Sequence, residues 1–292
     1  MLPNGQNGVN FLPQLITGDF NNDGKLDIVT LNNDPNGYTS LLLGDGTGEF
    51  TTPQTGTFPL PYIQSRGDCQ GDFNGDGILD KAYANPSTSS VMIILGTGQQ
   101  TSIFLNATPH SVRIGDFNND NKIDLVTSNW DKNNVSVLFG NGLGGFSAPT
   151  TFDVGANPAS VSVADFNNDG CADIATGNMG GNSVSILLGD GKGNFSTQIV
   201  LPVGTGPHSV SIGDFNGDGK VDIATANAWS NNVSVLLNTT EINSKSISTQ
   251  ASPTGSVSIL GSATQGQTLT ANNNLADANG LGTITYQWFS NG

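Results

Sequence analysis

Five copies of one nine-residue pattern carry most of the chain's capacity for chemistry. DFNNDGKLD begins at Asp19, DFNGDGILD at Asp72, DFNNDNKID at Asp116, DFNNDGCAD at Asp165 and DFNGDGKVD at Asp214. Side-chain oxygens recur at positions 1, 3, 5 and 9 of each copy. They are Asp19, Asn21, Asp23 and Asp27; Asp72, Asn74, Asp76 and Asp80; Asp116, Asn118, Asp120 and Asp124; Asp165, Asn167, Asp169 and Asp173; and Asp214, Asn216, Asp218 and Asp222. Position 7, which is Lys25, Ile78, Lys122, Cys171 or Lys220, would add its main-chain carbonyl. Alternate residues of a tightly curled loop point inward, and six to eight hard oxygens completed by water are what calcium requires. Position 6 is Gly24, Gly77, Gly170 or Gly219, suited to a left-handed turn. Asn121 in the third copy is the residue that best tolerates that conformation after glycine.

These loops are not EF-hands, because the twelfth position counted from Asp19 is Thr30 rather than a bidentate Glu. Asp, Asn and Gly also build ordinary metal-free turns. Three carboxylates gathered in each of five copies repel one another unless a cation is present, which favours about five calcium ions.

The charge balance points the same way. The chain has 24 acidic and 9 basic residues in 292, and a net charge of −15. Fifteen of the acids lie in the five loops, so the remainder is neutral. Acid placed so locally calls for a cation, and the scarcity of Lys and Arg argues against a nucleic-acid partner. Charged residues make up only 11% and Gly reaches 39, a composition like that of secreted bacterial β-proteins. Cys69 and Cys171 make no disulfide framework, and both are expected as unpaired thiols. No apolar run approaches the roughly 20 residues of a membrane span. The opening MLPNGQNGVN lacks the regions of a signal peptide, so the expectation is a removed leader or a Met1 that is not the natural start.

The elements that position the loops repeat with them, at spacings of 53, 44, 49 and 49 residues. Alternating apolar residues such as Ser209-Val-Ser-Ile-Gly213 precede a loop. Ile223-Ala-Thr225 and NNVSVLL from Asn231 follow it, then a turn such as GDGTGEF at Gly44, GNGLGGF at Gly140 or GDGKGNF at Gly189. Each unit reads as three or four short strands with period-two alternation. A unit this small cannot bury both faces of its sheet alone, so neighbours must stack. Repeats near 11–61, 62–106, 107–155, 156–204 and 205–240 therefore predict an all-β propeller of five blades, with a sandwich as the alternative. The fifth repeat lacks the turn and the fourth strand, which residues 1–10 or 241–250 would supply in a closed ring; an open arc remains the other reading. After a linker at 241–252, residues 253–292 read as the start of an Ig-like sandwich around Trp288, too short to complete one of about 100 residues.

The DFNxDGxxD loop, its preceding Gly and the later GDGxGxF turn resemble FG-GAP or VCBS repeats, bacterial relatives of the integrin α-subunit propeller. The resemblance covers roughly residues 11–240. It implies calcium loops between the first two strands of each blade, and the corresponding ligands are the positions named above. Propellers of that family commonly have seven blades, so five leave closure open. The tail resembles bacterial Ig-like repeats of large surface proteins.

Other chemistry is sparse. His110 and His208 lie six residues before their loops, and Arg66 holds the equivalent place in the second repeat. On a propeller these would form a ring near the axis able to hold an anionic sugar or carboxylate, or would simply end a strand. Trp130 and Trp229 follow the second strand of their blades and suit either sugar stacking or an inter-blade core. There is no GxSxG, HExxH or phosphate loop. Two function classes follow. One is an extracellular or cell-surface binding and adhesion module for a glycan or surface protein. The other is part of a glycan-active enzyme such as a polysaccharide lyase.

Overall fold

The computed structural model describes residues 14–21, 23–31, 39–51, 54–56, 67–239, 257–260 and 270–273. The chain divides into two compact units, Met1–Glu241 and Ile242–Gly292.

The first unit is built of five antiparallel sheets in sequence order. Blade 1 holds β1 (Gln14–Gly18), β2 (Asp27–Leu31), β3 (Thr39–Leu42) and β4 (Gln54–Gly56). Blade 2 holds β5 (Asp68–Gly71), β6 (Asp80–Asn85), β7 (Ser90–Ile94) and β8 (Gln100–Phe104). Blade 3 holds β9 (Pro109–Gly115), β10 (Asp124–Asn129), β11 (Asn134–Leu138) and β12 (Thr150–Asp153). Blade 4 holds β13 (Pro158–Ala164), β14 (Asp173–Asn178), β15 (Ser183–Leu187) and β16 (Ile199–Pro202). Among the described residues blade 5 holds β17 (Pro207–Gly213), β18 (Asp222–Asn227) and β19 (Asn232–Leu236). The expected three- or four-stranded units are therefore present, and the propeller-type stacking with them. The segments named as a closing strand, 1–10 and 241–250, lie outside the described residues.

Alternation decides how the blades stack, because each strand sends successive side chains to opposite faces. In blades 3, 4 and 5 one face of the sheet packs on the blade before it and the other on the blade after. Val126, Val135 and Val137 of blade 3 meet Val161, Ile174 and Leu187 of blade 4. Ala175 and Val184 of blade 4 meet Val210 and Ile223 of blade 5. Cys69, Val91 and Ile93 of blade 2 meet Val112, Leu125 and Leu138 of blade 3. Leu15 and Ile28 of blade 1 meet Ala224 and Ala226 of blade 5. The order in space is thus 2, 3, 4, 5, 1, and the first and last blades of the sequence are neighbours.

The same clasp recurs at three of these interfaces. The Phe of a GDGxGxF-type turn packs edge-on against the loop Phe of the preceding blade: Phe146 on Phe73, Phe195 on Phe117 and Phe50 on Phe215, with centroids 5.5, 5.7 and 5.9 Å apart. A turn glycine donates its N–H to the same Phe carbonyl, Gly144 to Phe73 and Gly193 to Phe117, each at 3.0 Å. Both glycines are left-handed, and a Cβ on Gly193 would lie 2.6 Å from the Phe139 ring. Blade 5 lacks this turn, and there the Asn238 side-chain amide donates to the Phe166 carbonyl at 2.7 Å instead.

At the opposite end of the blades a buried polar network replaces apolar packing. Thr127 donates to Asn129, whose amide donates to Asn134 and Ser136, and Thr176–Asn178 and Thr225–Asn227 repeat the arrangement. The second unit contains a hairpin of β20 (Val257–Leu260) and β21 (Thr270–Asn273); the rest of the Ig-like reading lies outside the described residues. Among the described residues no helix is long and apolar enough to cross a membrane.

Candidate metal loops

Each nine-residue pattern joins the first strand of its blade to the second, so all five loops occupy the same place in the repeat. Two left-handed residues curl the chain. Position 6 has φ of +81° at Gly24, Gly77 and Gly219, +83° at Gly170 and +60° at Asn121. Position 4 is left-handed as well: Gly75, Asn119, Asn168 and Gly217 have φ between 54° and 75°. That requirement is visible in the sequence, where position 4 is only ever Asn or Gly.

Hydrogen bonds fix the rest. The position-1 carboxylate accepts from the N–H groups of positions 5 and 6, as Asp165 does from Asp169 at 3.1 Å and Gly170 at 2.8 Å. The position-3 side-chain oxygen accepts from position 5, and the position-5 carboxylate from position 7, as in Asn167, Asp169 and Cys171. The same bonds recur in the other four loops. Positions 1, 3 and 5 are exposed or half-buried, and in loops 2 and 5 one oxygen of the position-1 carboxylate accepts from position 4 as well as position 5.

Position 9 is different. Asp27, Asp80, Asp124, Asp173 and Asp222 are fully buried. One oxygen accepts from the N–H of the loop Phe and the other from a residue after the third strand. This aspartate therefore pins the loop to the far side of its own sheet, a role that spacing alone does not show. Burial first, then the loop's other carboxylates, push the carboxyls of Asp124, Asp173 and Asp222 above the ordinary range, against the backbone bonds that lower them. For Asp173 the value reaches about 6.

The donor chemistry fits calcium. Positions 1, 3, 5 and 9 offer only oxygen, and the position-1 and position-5 charges lie close enough to raise the position-9 carboxyl. Among the described residues no three His, Cys, Asp or Glu side chains are already drawn into a metal cage. Hydrogen bonds hold these loops, joined in loops 3 and 5 by an ion pair, and a bound ion would add positive charge to each.

The two described members of the suggested basic ring, His110 and His208, differ in exposure. Arg66 lies outside the described residues. His110 is half-buried and stacks on Trp130, with centroids 4.7 Å apart. His208 is 3% exposed on β17. Arg113, not singled out from the sequence, is the basic group between the inner strands of blades 2 and 3. It donates to the Val112 carbonyl at 2.7 Å and the Asp68 carbonyl at 3.4 Å, and burial lowers its pKa. The two tryptophans are not equivalent either. The Trp130 N–H bonds Thr108, whereas the matching bond in blade 5 comes from Ala228. Trp229, one residue on, is 60% exposed beside Gly206. Both cysteines are free thiols, and burial pushes Cys69 up to about 12.

A family model for the FG-GAP-like repeat matches residues 72–127, 116–176 and 165–225. The chain belongs to the FG-GAP-like repeat family. Curated proteins show no match to it. Among solved structures, this FG-GAP-like chain is similar to BBS1N in its complex with ARL6DN, soaked with lead. The identity is 14%, the TM-score 0.41, and the match covers 75% of this chain and 66% of that one. It is also similar to the Photorhabdus luminescens Tc holotoxin pore, at 18% identity and TM-score 0.39, over 75% of this chain and 13% of that one. A third is a virginiamycin B lyase from Staphylococcus aureus, at 13% identity and TM-score 0.31, over 90% and 96%. The chain spans just under two thirds of BBS1N, and at these scores the likenesses carry no argument about activity.

Proposed function

We propose that this FG-GAP-like chain is an extracellular binding module whose blades are stapled by calcium. Its partner would be a glycan or a cell-surface protein. The observation that carries the reading is the repetition: the same all-oxygen loop, held by the same hydrogen bonds, ends the first strand of all five blades. Asp19, Asn21, Asp23 and Asp27 and their counterparts would hold the ion, with the position-7 carbonyl beside them. A bound divalent cation supplies the charge that lets three carboxylates share one loop. Five ions would change the formal charge from −15 to about −5.

Calcium that binds only the folded state stabilises it by RT ln(1 + [L]/Kd). Extracellular modules bind it with Kd of roughly 10⁻⁴–10⁻³ M, which suits a compartment rich in calcium. Chelator is expected to lower the melting temperature, and millimolar calcium to restore it where magnesium restores it less. Melting that ignores both, with no metal in the purified protein by elemental analysis, overturns the calcium reading. The binding role is checked on a glycan array and a panel of surface proteins in calcium; no ligand on either refutes it.

A further inference from the structure

The five loops share a backbone but not a charge. In loops 1, 2 and 4 the outer oxygen of the position-5 aspartate receives the position-3 amide, from Asn21, Asn74 and Asn167, each at 2.9 Å. In loops 3 and 5 a cation sits on that oxygen. Lys122 Nζ lies 3.0 Å from Asp120 Oδ2, and Lys220 Nζ lies 3.6 Å from Asp218 Oδ2. Both lysines come from position 7 of the same loop, where loops 2 and 4 carry the uncharged Ile78 and Cys171.

We infer that the position-7 lysines of loops 3 and 5 are built-in counter-ions that rank the loops, so that loops 2 and 4 fill with calcium first and loops 3 and 5 last. This rests on the calcium reading above. An ion on the Asp120 carboxylate would stand within about 5.5 Å of the ammonium, given Ca–O distances of about 2.3–2.6 Å. Repulsion between +2 and +1 at that separation in water weakens binding about tenfold, and physiological salt reduces this to about threefold. The lysine must also release the oxygen the ion needs. Lys122 is hydrogen-bonded to its oxygen, whereas the less exposed Lys220 faces its own at ion-pair distance. Loop 1 falls between, since Lys25 acts on Asp23 through its charge while its stem lies over Gly46.

The test is calcium titration of the full chain by calorimetry and terbium luminescence, at low and high salt. Lys122→Met and Lys220→Met keep the apolar stem and remove the charge. Each is expected to move one ion from the weaker to the tighter class, by about three- to tenfold, with a smaller gain at high salt. Cys171→Lys should move one ion the opposite way. Uptake by five equivalent loops, unmoved by all three substitutions, overturns the ranking and leaves the calcium reading standing. No uptake by the parent chain overturns both.

Discussion

Blades 2 and 3 close the same loop with the same bonds but turn different faces to the blade before them. In blade 3 that face is Val112, Leu125, Thr127, Ser136 and Leu138, all buried. In blade 2 the equivalent residues are Asp68, Lys81, Tyr83, Met92 and Ile94, and all but Asp68 are only half-buried. Position 8 of the loop differs in step. Ile123 and Leu26 press on Gly71 and Gly213 of the preceding blade, whereas Leu79 is 63% exposed. The loop Phe follows: Phe73, Phe117, Phe166 and Phe215 are buried, and Phe20 of blade 1 is half-buried. Loop and sheet are thus set by local hydrogen bonds that need no neighbour, since Asp80 pins loop 2 as Asp124 pins loop 3. Stacking is set separately, by the residues on each face, and the pair of blades 1 and 2 is where the apolar code changes.

Exchanging that code between blades gives the largest expected effect. Leu125→Lys places blade 2's residue in a fully buried apolar site and should cost about 3–5 kcal/mol in urea denaturation. Lys81→Leu, the reciprocal change on a half-buried face, should stay within about 0.5 kcal/mol. Equal costs at the two positions would erase the distinction between the faces.

An intermediate effect is expected from pH. Asp173 has an ordinary pKa of 3.8 and a folded value of about 6, so the folded state holds its proton more tightly in that interval. In chelator, its contribution favours folding below about pH 4 and is lost as pH rises through about 6. Asp124 and Asp222 are raised for the same reason and act in the same direction. The melting temperature should therefore fall from pH 4 to 6.5 in chelator, and fall less in Asp173→Asn. Calcium, which favours the carboxylate, should flatten or reverse the slope. A melting temperature that rises over this range in chelator would contradict the burial of these pins.

Much of this architecture is legible in the sequence because it repeats. Five DFNxD cores, period-two alternation and the missing turn after Leu237 give blades, strands and, among the described residues, the three-stranded fifth sheet. Less legible is whatever joins residues far apart. Spacing makes Asp27 and its counterparts look like loop oxygens and nothing more, because their second partner lies 16 or 17 residues on. Asn238 looks like the end of a strand until its amide meets Phe166, 72 residues earlier. His110 and His208 share a register, yet one stacks on Trp130 and the other is buried; the one-residue offset of Trp229 is visible in the sequence, but its effect on the packing is not.

The smallest effect separates blade 3 from blades 4 and 5 at a single hydroxyl. Ser128 pairs across the sheet with Ser111, where blade 4 has Gly177 beside Ser160 and blade 5 has Ala226 beside Ser209. The Ser128 and Ser111 hydroxyls are buried without a hydrogen-bond partner. A buried hydroxyl left unsatisfied costs about 1–3 kcal/mol. Removing it refunds part of that loss, offset by the contacts of one small atom. Ser128→Ala gives blade 3 the residue of blade 5 and should stabilise the protein by about 0.5–1 kcal/mol in urea denaturation. Destabilisation of similar size would mean that the hydroxyl is satisfied in solution, by an internal water bridging Ser128 and Ser111.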